Sequence, residues 1–104
     1  MSTITKDNNG QLAQCFGFGT TQTVAIGSSS TQSTAVASTT KVLRLVATTE
    51  CHLAIGSNPT ASQTTSFYMP ANTIEYVRCG GSDKVAVIQR SGGSTGSLFV
   101  TETV

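Results

Sequence analysis

Apolar and polar residues alternate with a period of two along most of this chain, and no stretch carries the 3.6-residue period of an amphipathic helix. The clearest run, residues 41–48, sets Leu43, Leu45 and Ala47 on one face against Val42, Arg44 and Val46 on the other. Apolar residues on both faces predict a central strand. Thr49 and Glu50 turn the chain, and residues 51–55 return with Cys51, Leu53 and Ile55 on one side, so the two runs are expected to pair as a hairpin. A third strong run, residues 84–90, has Val85 and Val87 opposite Ala86 and Ile88. Weaker strands are expected at 11–18, where Phe16 and Phe18 share a face and Gly17 and Gly19 admit a bend, and at 22–26, 73–79 and 97–104. Residues 31–37 read as an edge strand or an ordered loop.

Turn signals separate these runs: Asn8-Asn9-Gly10, the Gly27-Ser28-Ser29-Ser30 cluster, Gly80-Gly81-Ser82-Asp83 and the stretch from Ser91 to Gly96. Pro70 cannot donate to a ladder and therefore stands before a strand. Seven or eight short strands at intervals of roughly ten residues fit an antiparallel sandwich or barrel, and the fold expected is an all-β antiparallel sandwich of jelly-roll type. Its expected core includes Leu43, Leu45, Leu53, Ile55, Val85 and Val87.

The chain has 104 residues, enough for one domain spanning 1–104, with residues 1–21 a candidate extended N-terminal arm. Charged residues are only 11% of the total, whereas Ser and Thr supply roughly 30%, so the surface must be covered by hydroxyls rather than ion pairs. A net charge of +1 argues against nucleic-acid binding through a basic field. No apolar run approaches the roughly 20 residues of a membrane-spanning helix. The N-terminal residues show no apolar segment of a signal peptide, which places the protein where thiols stay reduced. Cys15, Cys51 and Cys79 are odd in number and match no CxxC pattern, so free, buried thiols and no bound metal are expected.

Candidate chemistry is sparse. The acids are Asp7, Glu50, Glu75, Asp83 and Glu102, and the single histidine, His52, has no GxSxG-like elbow to serve. His52 is expected to be a solvent-facing strand residue. Gly17-Phe18-Gly19 completes neither GxGxxG nor a P-loop, and Asn58-Pro59-Thr60 fails the glycosylation rule through its central proline. No enzymatic activity and no cofactor are expected. The polar loop over residues 56–66 is long enough to be where a function would sit. Phe67, Tyr68 and Met69 beside it either plug one end of the sandwich or dock against another subunit or a capsid.

From Val42 onward the chain runs Val-Leu-Arg-Leu-Val-Ala-Thr-Thr, Cys-His-Leu-Ala-Ile-Gly with Asn-Pro-Thr-Ala-Ser, Phe-Tyr-Met-Pro-Ala before Glu-Tyr, Lys-Val-Ala-Val-Ile-Gln, and a terminal Leu-Phe-Val-Thr-Glu. This succession, covering about the last sixty residues, resembles small virion-associated proteins of tailed bacteriophages, some of which are capsid cement or decoration proteins. The resemblance implies a structural role with the major capsid protein as partner. It also implies a homo-oligomer, a trimer being favoured because decoration proteins often occupy threefold positions, and a location on the capsid surface after synthesis in the host cytoplasm. The competing expectation is a tail or head-fibre module that contacts host surface glycans. Such sites stack sugars on aromatics, and this chain has no Trp and only Tyr68 and Tyr76.

Overall fold

A computed structural model of the chain describes residues 17–104, together with the backbone of the two strands formed by residues 3–6 and 12–15. Those two, β1 (Thr3–Lys6) and β2 (Leu12–Cys15), pair antiparallel as a separate two-stranded sheet. The expected turn at Asn8–Gly10 and the side chains of Cys15 and Phe16 lie outside the described residues. Residues 18–21, read from the sequence as the end of an arm, belong to the next strand.

Eight strands follow: β3 (Phe18–Ile26), β4 (Thr31–Gln32), β5 (Val42–Ala47), β6 (Cys51–Gly56), β7 (Phe67–Met69), β8 (Ile74–Arg78), β9 (Lys84–Gln89) and β10 (Gly96–Thr103). They build two four-stranded antiparallel sheets, ordered β3-β10-β5-β8 and β4-β9-β6-β7. The first of the eight thus pairs with the last, the second with the seventh, the third with the sixth and the fourth with the fifth. Only β6 and β7 are consecutive strands of one sheet; every other link from β3 onward carries the chain from one sheet to the other.

This overturns the hairpin expected between residues 41–48 and 51–55. β5 pairs with β10 and β8, while β6 pairs with β9 and β7. The physical reason lies in the inner faces. Leu43, Leu45 and Ala47 of β5 and Cys51 and Leu53 of β6 are all buried at 4% exposure or less, which two strands achieve by facing each other across a core. The remaining wall is supplied by Val24 and Ile26, Leu98 and Val100, Val85 and Val87, and Met69. Ile55 and Val77 are partly buried against it. Each fully enclosed aliphatic side chain contributes about 1.5–3 kcal/mol to holding the sheets together.

The segment from Ser33 to Thr40 is an ordered connection beyond a two-residue strand. Its backbone is fixed by Ser33 N–H to the Val85 carbonyl (2.7 Å) and Val36 N–H to the Asp83 carbonyl (2.8 Å). Its far end is held by Glu102, whose Oε1 accepts from Ala37 N–H at 3.1 Å and from the Thr40 hydroxyl at 2.7 Å. The Gln22 amide clasps the backbone of Thr34 across the gap between β3 and this connection, accepting from its N–H and donating to its carbonyl. Gly81 lies so close to Ser38 that a Cβ there would collide with the Ser38 carbonyl.

Candidate interaction face

The two outer faces of the sandwich have different fates, and the difference begins in the polar loop between β6 and β7. Gln32 on β4 donates to the Asn58 side chain at 2.9 Å and to the Pro59 carbonyl at 2.7 Å. Ala61 N–H reaches the Ser30 hydroxyl, and Gln63 donates to the Gln89 carbonyl at the far end of β9. These bonds lay the loop over the outside of β4-β9-β6-β7. Ala86 points outward from β9 and is nevertheless completely enclosed, and Pro59 and Ala61 are buried beside it. The loop expected to carry a function is the cover of its own sheet.

His52 belongs to the same cover. Its Nδ1–H donates to the Ser66 carbonyl at 3.1 Å, and its ring lies 5.4 Å from that of Tyr68 at 59°. It is half-buried rather than solvent-facing. Tyr68 donates to Glu50 Oε1, and Glu50 Oε2 takes Arg90 Nε at 2.8 Å in a surface ion pair. The Tyr68 hydrogen bond first, and then Arg90, hold the Glu50 carboxyl below its usual range. Thr48, Thr49, Glu50, Arg90, Gly93 and Ser94 line an open hollow of about 400 Å³ at this end of the sandwich.

Of the three residues singled out by the sequence, Met69 is fully enclosed in the core and offers a partner nothing. Register explains this: Met69 stands opposite Cys51 and points inward, whereas Tyr68 stands opposite His52 and points outward. Phe67, opposite Leu53, is on the core side of an edge strand and is left 51% exposed where the sheet ends.

The larger exposed apolar surface is on β3-β10-β5-β8. Register aligns Thr23, Phe99, Val46 and Ile74 in one row across the four strands, and Thr21, Thr101, Arg44 and Tyr76 in the next. Val42 and Arg78 extend the face at its β5-β8 corner. Phe99 is 38% exposed, Tyr76 49% and Ile74 50%. Phe18 joins them, because the Arg44 guanidinium lies 5.8 Å above its ring centre, a cation–π distance. No loop of the described residues bonds across this face as residues 57–66 do across the other.

The face is electrostatically one-sided. Arg44 and Arg78 stand on it, while the four described acidic side chains are elsewhere: Glu50 with Arg90, Glu102 with Thr40, Asp83 capping Gly80 N–H, and Glu75 on the opposite side of β8. Among the described residues no three His, Cys, Asp or Glu side chains are grouped as a metal site. Cys51 and Cys79 are free and buried, and burial pushes the Cys51 thiol up to about 11.

Comparison with known proteins returns no match to a family model, to a curated protein or to a solved structure.

Proposed function

We propose that this chain is a structural component of a tailed-bacteriophage virion, a capsid cement or decoration protein that binds the major capsid protein and stabilises its lattice. The observation that carries this is a small two-sheet body with one outer face sealed by its own loop and the other left apolar. Monomeric proteins keep few such patches, and those they keep are commonly interaction sites. The strand order supports a jelly-roll reading of the body, because pairing first with last, second with seventh, third with sixth and fourth with fifth is what a long hairpin gives when rolled over on itself. Jelly rolls recur in viral capsids, which is an analogy of fold rather than of site. The resemblance of the last sixty or so residues to phage virion proteins points the same way.

The test is reconstitution. Phage heads assembled without this chain should bind it when it is added back, sediment with it, and gain resistance to heat. Mass spectrometry should return a copy number near that of the capsid protein, and sedimentation of the free protein should show a trimer. Heads that neither bind the chain nor gain stability remove the proposal. The second reading, a head- or tail-fibre module for host glycans, is favoured by the hollow lined by Thr48, Glu50, Arg90 and Ser94, whose hydroxyls and charges suit a sugar. A few copies per particle, with glycan binding lost in Glu50→Ala, would select it.

A further inference from the structure

We propose that the outer face of β3-β10-β5-β8 is a docking surface for a protein segment that is both aliphatic and acidic, with Arg44 and Arg78 receiving its carboxylates. The inference rests on the capsid reading for the partner's identity and adds the face and the chemistry of recognition.

Three observations converge on it. First, Phe99, Val46 and Ile74 stand side by side in one row, so their exposed surface is continuous across three strands. Tyr76 stands in the next row, and Phe18 lies beyond that row on β3, against Arg44. A partner laying aliphatic side chains here removes apolar area from both surfaces, at about 25 cal/mol for each Å². Second, among the described residues the face carries two guanidinium groups and no acidic side chain. Arg44 already places its guanidinium over the Phe18 ring, where a long side chain can keep its charged head in water beside apolar surface. A guanidinium so placed offers two parallel N–H donors to a carboxylate while its carbon stem stays packed. Third, the described residues do not supply the complement. A second copy docked face to face would bring Arg44 and Arg78 toward their own symmetry mates, and like charges across an interface cost affinity. The described carboxylates that might answer them point away or are already engaged. The occupant is therefore a different polypeptide, one with acidic groups set among aliphatic ones.

Size sets the mode of binding. Four strands at about 4.8 Å spacing, each about six residues long at about 3.3 Å per residue, make a face of roughly 400 Å², which is small beside the roughly 800 Å² per partner of a stable binary complex. Single contacts on this face are weak and gain strength through repetition, as on a lattice of identical subunits.

The experiment titrates isotope-labelled protein with a synthetic peptide of alternating glutamate and valine, and with its lysine counterpart of the same length, following amide shifts by NMR. The expected result is saturable shifts at Val46, Ile74, Tyr76 and Phe99 with the acidic peptide, and binding weaker by about tenfold or more with the basic one. Arg44→Glu and, independently, the more exposed Arg78→Glu should each reverse that preference, with thermal melts confirming that both variants fold. At about 1 M salt, where the screening length falls to about 3 Å, the acidic preference should vanish and the residual apolar binding should remain. Equal binding of both peptides, no binding of either, shifts on another face, or shifts that depend on protein concentration alone overturn the proposal; the last would make a second copy the occupant. Heparin binding that is Arg-dependent but leaves Phe99 and Ile74 unshifted also overturns it, in favour of an anionic glycan. Phage heads separate this result from the capsid reading. Heads that take up wild-type and Arg44→Glu/Arg78→Glu protein equally reject this face and keep that reading, whereas heads that take up neither reject that reading and leave the peptide titration to judge the face.

Discussion

The hydroxyl of Tyr68 donates to Glu50 Oε1 at 2.5 Å, tying an edge strand to the link between β5 and β6. The same carboxylate takes Arg90 through its other oxygen, so one acid joins the end of the β5–β6 link to the start of the β9–β10 link. The arrangement favours ionised Glu50, whose carboxyl lies below its ordinary value of 4.5. A depressed carboxyl contributes stability above its unfolded value and loses it as pH falls through the folded one. Carboxyl NMR should show Glu50 titrating below 4.5, and Tyr68→Phe should move its midpoint up. The Tyr68 phenol should ionise above its ordinary value of 10.0, chiefly because of the same bond, and a midpoint at or below it would show the contact is not made in solution.

Leu45 is fully buried at the centre of β5. Leu45→Ala is expected to cost about 2–5 kcal/mol in denaturant melts. A loss below about 0.5 kcal/mol would mean that this side chain does not face the core.

Cys51 and Cys79 should resist thiol reagents until the protein unfolds. Because the folded Cys51 thiol is raised to about 11 from 9.0, its contribution to stability is complete below pH 9 and is lost as pH climbs toward 11. Melting temperatures measured across that window should fall, and Cys51→Ala should flatten the slope.

Gly81→Ala would press a methyl group into the Ser38 carbonyl, backbone against backbone, where neither side can yield cheaply. The expected loss is about 1–3 kcal/mol. Gly27→Ala is the control, since nothing lies near a Cβ at that position.

Gln32→Ala removes both bonds that fasten Asn58 and Pro59 to the sheet. The cost should be about 0.5–1.5 kcal/mol, with limited proteolysis newly cutting between residues 57 and 66. Unchanged cleavage would show that the loop is held by other contacts.

The inward positions were legible in the sequence because a strand's side-chain period survives whatever the strand pairs with. Leu43, Leu45, Leu53, Val85 and Val87 are all in the core, and Ile55 lies at its margin. Pairing was not legible. A hairpin and a passage across the core put Leu45 and Leu53 on the same kind of face, and only the opposing sheet distinguishes them. The role of residues 57–66 was hidden for a related reason, since polar composition announces a loop without saying that it roofs Ala86. The interaction face was the hardest to see. Phe99, Val46 and Ile74 are far apart in the chain and each is unremarked alone; they become a surface through register. The adjacent Phe67, Tyr68 and Met69 stood out in the sequence, yet alternation sends Met69 inward.

The pairing of the first body strand with the last also governs when the protein can exist. β10 sits inside its sheet and is the only ladder partner of β3 in the two four-stranded sheets, so until residues 96–103 are made β3 has no ladder partner there and β5 is paired only to β8. A nascent chain that lacks β10 can complete β4-β9-β6-β7 but leaves β3 unpaired and one edge of β5 open, and closure requires strands that are distant in sequence to meet. Folds dominated by such distant pairings form in milliseconds to seconds rather than microseconds. Synthesis thus supplies one sheet whole before the other can close, and a chain truncated before β10 should collect in aggregates rather than as a shortened native form.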